Sequence, residues 1–226
     1  MSVADEAIKK AVDLGATVAG FVPAKKLKNC PSALSAGPQG FQNFTGSIMV
    51  LGLYHDPDCP EMDLWEEGRS TKGDRMLHRM TKELCRWLKD VHGIDAHDIP
   101  YQVHNAGIYL KDAAILAGLG CIGKNNLVIV RGYGPKIRFR ALWADLKTPE
   151  PSIQQQPNFC DVCSAPCHVN CPMNAFFDGK YHREKCLKRI DVNKKTAYKN
   201  SLETGSKKQI DHCRICELVC PGGQKE

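Results

Sequence analysis

No run in this chain of 226 residues is apolar enough to cross a bilayer. The longest, from about Ile48 to Tyr54, falls far short of the roughly 18 residues that a membrane-spanning helix needs. The amino end, MSVADEAIKK, mixes charges and has no apolar core, so it reads as neither a secretory signal nor an Arg-rich transit peptide. The expected address is therefore cytoplasmic, with no membrane partner. No solenoid-type repeat recurs along the chain. Aromatic residues are sparse, at 7%, and they are not interleaved with the lysines as in a nucleic-acid-reading motif. Disorder is excluded too, because 42% hydrophobic and 25% charged residues are ordinary values for a folded globular protein.

Cysteine, by contrast, is abundant. Of the 12 cysteines, eight lie between Cys160 and Cys220. Disulfides are disfavoured in a reducing compartment, so such a cluster reads first as a set of metal ligands. Positive charge gathers in the same region. From Asp178 onward there are 12 Lys or Arg against 7 Asp or Glu, which accounts for most of the net charge of +6. Such a surface is either simply solvated or attractive to nucleic acid or an acidic protein.

The amino-terminal part shows α/β patterning. The spacing of Ile8, Ala11 and Val12 predicts a helix over about Ala4 to Leu14, stopped by Gly15. TVAGFVPA and GSIMVLGLYH read as strands, the second a central one. Met76, Leu77, Met80, Leu84, Leu88 and Val91 recur at steps of three and four, predicting a helix over Asp74–His92. A further helix is expected from Tyr109 to Ala117, followed by a hairpin in which NLVIV and KIRFRALWADL flank the turn RGYGP. TPEPSIQQQP has three prolines and no periodicity. It divides the chain into a domain over 1–147, a linker over 148–157 and a cysteine-rich domain over 158–226.

Within that last domain, Cys160, Cys163, Cys167 and Cys171 precede Pro172 as C-x2-C-x3-C-x3-C-P. Cys213, Cys216 and Cys220 precede Pro221 as C-x2-C-x3-C-P, and Cys186 stands upstream. Two structural zinc sites could also use C-x2-C pairs. The doubled C-P ending instead has the shape of a bacterial ferredoxin signature, in which three close cysteines and one crossing cysteine hold each [4Fe-4S] cluster. On that rule one cluster takes Cys160, Cys163, Cys167 and Cys220, and the other takes Cys171, Cys186, Cys213 and Cys216. His168, beside a ligand, is either a surface residue or a donor to a cluster sulfur.

Gly118, Gly120 and Gly123 match G-x-G-x-x-G. However, a helix precedes them and a strand follows, the reverse of a dinucleotide fingerprint. The turn is still suited to close approach of a flat or anionic group, with Lys124 and Asn125 beside it.

The segment KDAAILAGLGCIGKNNLVIVRGYGPKIRFRALWADL, together with the cysteine tail, resembles the epoxyqueuosine reductase and reductive dehalogenase group over roughly Asp74 to Pro221. The resemblance implies an α+β architecture: a nitroreductase-like, cobalamin-processing type of α/β domain followed by a small ferredoxin-like two-cluster domain. It further implies an iron–sulfur oxidoreductase in which two [4Fe-4S] clusters reduce a corrinoid (cobalamin), with FMN the alternative. The pocket would be lined by Gly118, Gly120, Cys121, Gly123, Lys124, Asn125, Tyr133 and Arg138. Where tRNA-modifying members carry an acidic proton donor this chain has His104, and Tyr109 is a second candidate. The expected partners are a low-potential donor such as a ferredoxin or flavodoxin, a corrinoid protein, and tRNA. The other reading is an electron-transfer or activator protein that serves a partner and catalyses nothing itself.

Overall fold

The computed structural model describes residues 1–149, 159–205 and 208–223. The chain divides into two compact units, and neither is a continuous stretch of sequence. The first comprises Met1–Tyr54, Met76–Cys121 and Arg138–Gln156; the second comprises His55–Arg75, Ile122–Ile137 and Pro157–Glu226. Thus 55–75 and 122–137, read from the sequence as amino-terminal, cluster with the cysteine-rich region. Most of the linker, from 150 to 157, lies outside the described residues.

The first unit is built on a four-stranded sheet. Strand Val18–Pro23 runs antiparallel to Ser47–Tyr54, with Val18 opposite Gly52 and Pro23 opposite Ser47. Ile137–Ala144 follows in the sheet, and Ala96–Asp98 pairs antiparallel with it at the far edge. Ser47–Tyr54 is therefore internal, which explains its unbroken apolar run: Ile48, Met49, Val50 and Leu51 are all fully buried, as expected of a strand covered on both faces.

The helix Lys72–His92 buries Leu77, Met80, Leu84 and Leu88. Each such side chain contributes about 1.5–3 kcal/mol when fully buried. Val91, one step further along the stripe, is 61% exposed, so the covered face ends before the helix does. Val3–Asp13 opens with a capping box between Ser2 and Asp5, which satisfies otherwise orphaned backbone N–H groups. The helix preceding the glycine turn spans Leu110–Leu116.

The predicted hairpin does not form as a pair of long strands. Val128–Ile129 pairs instead with Cys121–Ile122 in a two-stranded sheet, and Gly123 N–H donates to Leu127 O at 2.8 Å in the turn between them. Ile137–Ala144 is taken up by the four-stranded sheet instead. A long apolar strand gains more from two neighbours and a buried face than from one short partner.

The second unit has less hydrocarbon at its centre. A three-stranded sheet places Leu64–Glu66 between Ser70–Thr71 and Gln209–Asp211, with Trp65 opposite Ile210. Helix Arg183–Thr204 packs on the Gln209–Asp211 strand and buries none of its own residues fully. Two four-residue helices, Pro166–Val169 and Ile215–Leu218, pack against each other. Each begins one residue before a C-x3-C-P run and includes its first cysteine, Cys167 or Cys216. Among the described residues, no helix is long and apolar enough to cross a membrane.

Candidate functional site

The second unit gathers the eight tail cysteines into two sets. Burial raises the Cys167 thiol, and Cys220, Cys160 and Cys163 lie near enough to raise it further. Cys220 is likewise raised by burial, then by Cys160 and Cys163. In the other set, burial raises Cys213, with Cys186 and Cys171 adding to the effect. Burial also pushes the Cys216 thiol up to about 12, with Cys213 and Cys186 next in influence. Most of these influences run within Cys160, Cys163, Cys167 and Cys220 or within Cys171, Cys186, Cys213 and Cys216, while Cys167 also raises Cys216 across that division. Such thiols stay protonated until a metal displaces the proton, so metal uptake releases protons.

The two sets differ in cover. Cys160, Cys167 and Cys220 are buried, leaving only Cys163 partly open, whereas all four residues of the other set are half-buried. Among the described residues, no three His, Cys, Asp or Glu side chains converge closely enough to grip one metal ion.

Backbone and cations complete the surroundings. Lys124 N–H donates to Cys160 Sγ at 3.4 Å, and Ala175 N–H donates to Cys171 Sγ at 3.3 Å. Such bonds favour the thiolate and tune a cluster's potential. Lys136 is buried and draws the Cys220 thiol downward against the burial effect. Arg189 does the same for Cys213, and its buried Nε has no hydrogen-bond partner among the described residues. An unpartnered Nε–H on a residue that influences Cys213 suits a group that carries net negative charge. These surroundings fit two anionic clusters, each held by four thiolates with one cation nearby. Neither basic residue stands out in the sequence, where a lone Lys in a strand or Arg in a polar helix looks like surface.

A second feature absent from the sequence reading is a buried polar network. Arg214 ion-pairs with both Asp63 and Glu217, and His55 Nδ1 stands 2.9 Å from Asp63 Oδ1. All four residues are buried or nearly so. The network fastens the Cys213–Cys216 turn to the 55–75 segment with groups that would be costly to bury singly.

The residues assigned to a cofactor pocket are divided. Gly118, Gly120, Cys121 and Arg138 belong to the first unit, as do His104 and Tyr109; Gly123, Lys124, Asn125 and Tyr133 belong to the second. Gly118 ends its helix at φ +75°. His104 lies on an exposed turn, and Tyr109 is exposed at the helix start with Lys111 Nζ 5.0 Å from its ring centre. Lys124 Nζ donates to Cys163 O at 3.0 Å, and the buried Asn125 donates through Nδ2 to Cys216 O at 3.2 Å while its Oδ1 accepts from Leu127 N–H. Their polar ends therefore brace the cysteine loops. His168 joins them: Nε2 donates to Lys124 O at 2.8 Å and the ring stacks on Phe176, 4.5 Å between centres.

Tyr133 and Gly134 meet the tail backbone. A Cβ on Gly134 would lie 1.9 Å from Gly222 O, and one on Gly223 would lie 2.2 Å from the Tyr133 carbonyl carbon. Both glycines also have positive φ, +62° and +77°. Only glycine permits this approach, just beyond Cys220.

No protein-family model matches the chain. The epoxyqueuosine reductase of Pseudomonas aeruginosa is 33% identical over 122 residues, covering 53% of this chain and 33% of that protein. That of Lactococcus garvieae is 28% identical over 187 residues, covering 77% of this chain and 51% of that protein. The chain thus spans between a third and a half of these curated relatives. Among solved structures, the epoxyqueuosine reductase of Streptococcus thermophilus aligns with a TM-score of 0.65 at 19% identity, covering 100% of this chain and 67% of that one. A reductive dehalogenase described with a mechanism for B12-dependent dehalogenation aligns at 0.63 and 17% identity, over 96% and 31% of the two chains. An epoxyqueuosine reductase solved with a tRNA-Tyr stem loop aligns at 0.65 and 16% identity, over 98% and 65%. The chain is a homologue of proteins named epoxyqueuosine reductase, and it has the mixed α/β fold common to them and to reductive dehalogenases.

Proposed function

We propose that this epoxyqueuosine reductase-like chain is an iron–sulfur oxidoreductase. Its two four-thiol sets each hold a [4Fe-4S] cluster and relay electrons to a corrinoid-type acceptor for substrate reduction. The observation that supports this best is that all eight tail thiols fall in one compact unit, with backbone N–H groups donated to the sulfurs of Cys160 and Cys171. When bound, such clusters supply one-electron transfer at tunable potential. The chain's own part is to hold the thiolates in place. Lys124 and Ala175 donate backbone N–H groups to sulfur, Asn125 and His168 brace the loops, and the Arg214 network fixes the Cys213–Cys216 turn.

The fit to a corrinoid is weaker on this chain's residues. Lys124 and Asn125 are already engaged with carbonyls, and His104 and Tyr109 stand in solvent. Support for a corrinoid is the likeness to a B12-dependent dehalogenase. A tRNA substrate draws support from the epoxyqueuosine reductase solved with a tRNA stem loop. In that scheme His104 or Tyr109 delivers the proton.

The exposure of those two candidates favours a second reading, an electron-transfer or activator protein for a partner such as a corrinoid protein. Anaerobic purification with iron, sulfide, cobalt and flavin analysis separates the two. Roughly eight irons per chain with cobalt supports the reductase. The same iron with no organic cofactor supports the carrier, and a colourless, folded, iron-free protein overturns both.

A further inference from the structure

We propose that the face of the second unit around Cys171 and Cys186 is a docking surface for an acidic one-electron carrier protein, and that electrons enter through this cysteine set. The proposal rests on the two-cluster reading above and deepens it. Electron tunnelling falls steeply with distance, so a donor must engage whichever centre lies nearer the surface. Here that is the set Cys171, Cys186, Cys213 and Cys216, all half-buried, whereas three of the other four thiols are buried.

The helix that carries Cys186 is strongly basic. Between Lys180 and Lys199 there are 8 Lys or Arg and only 2 Asp or Glu. Lys188, Lys195 and Lys199 are exposed along one face of helix Arg183–Thr204, with Lys185 at its base, a row about 21 Å long at 1.5 Å per residue. The opposite side of the helix is the one against the sheet, where Asn193 donates to Asp211 O. Cys186 itself lies in the helix's first turn. The one acid within the row, Asp191, is paired with Lys194, and Lys199 pairs with Glu203 at 3.7 Å beyond its end.

An apolar patch sits at the foot of this row. Phe177 is 54% exposed, with Lys185 Nζ 3.8 Å from its ring centre and the His182 ring at 4.5 Å. Val169, two residues before Cys171, is 83% exposed. A small apolar centre flanked by charge of one sign suits a brief redox encounter, in which opposite charge steers the approach and little area is buried. Nucleic acid is the less favoured occupant. The row is made of lysines with one exposed aromatic, Tyr198, so it lacks the series of stacking faces on which successive bases of a single strand would lie.

The test uses the anaerobically prepared, iron-loaded full chain, with stopped-flow reduction by a reduced acidic flavodoxin. The second-order rate should fall steeply with added salt. The triple variant K188E/K195E/K199E should slow it by about tenfold or more at low salt and flatten the salt dependence. Reduction by a small chemical reductant, iron content and the EPR spectrum should be unchanged. Phe177→Ser should slow reduction at every salt concentration. Unaltered rates and salt slope in the triple variant, with the iron intact, overturn the proposal. So does loss of tRNA stem-loop binding in that variant without any change in flavodoxin kinetics, which assigns the row to nucleic acid. Absence of iron from the unmodified chain is a different failure, that of the cluster reading itself, and is seen before any kinetics are run.

Discussion

The two units solve the problem of a stable interior in different materials. In the first, Ile48, Met49, Val50, Leu51, Leu77, Leu84 and Leu88 are excluded from water, and hydrocarbon burial alone can support the sheet. In the second, Ile210 and Phe176 are among few large buried apolar side chains, and the centre is thiols, two cations and the Asp63–Arg214–Glu217 network. On the proposed cluster reading, one unit carries its stability in its sequence, while the other leaves much of it to bound metal, as small metal-centred domains do.

Iron removal gives the largest separation. Chelation under anaerobic, reducing conditions should strip hydrogen-exchange protection from helix Arg183–Thr204 and the Gln209–Asp211 strand, while the amides of Ser47–Tyr54 stay protected. Equal protection in both regions would break the contrast. Next in size, Cys220→Ser should lower iron from about eight to about four per chain or fewer, and Cys85→Ser should leave it unchanged. Burial and the Asp98 carboxylate hold the Cys85 thiol at about 12, so it behaves as packing. Iron analysis of the two purified variants decides the point.

Leu84→Ala acts on the other side of the comparison. It should cost about 2–5 kcal/mol in the first unit, seen as a lower midpoint in urea, with iron content preserved. Smaller still, Lys136→Met and Arg189→Met each remove a cation near one cysteine set. Each should lower one reduction potential by on the order of 50 mV and leave the other in place, as measured by EPR-monitored titration. A shift of both potentials together would mean the cations act on the whole unit, not on separate centres.

What the sequence disclosed follows the same division. Long-period signals were readable: the run Ile48–Leu51 needed a strand covered on both faces, and Leu77, Leu84 and Leu88 needed one helical stripe. The three-residue strands of the second unit gave no such signal, because Trp65 meets Ile210 across most of the chain and neither has enough neighbours to show a period. The expected hairpin misread local proximity, since Ile137–Ala144 found a better surface in the four-stranded sheet. Lys136 and Arg189 escaped notice because a basic residue reveals nothing of its burial until the thiols are placed. Likewise Lys124 and Asn125, singled out for a cofactor, use their polar ends to hold Cys163 and Cys216 carbonyls.

The near-touching backbones at Gly134 and Gly222 bear on biogenesis. During synthesis the 133–134 corner leaves the ribosome long before its counterpart, and Cys220 emerges immediately ahead of that counterpart. On the two-cluster reading, a nascent chain can thus present Cys171, Cys186, Cys213 and Cys216 together before Cys220 joins Cys160, Cys163 and Cys167, so the two sets become complete one after the other.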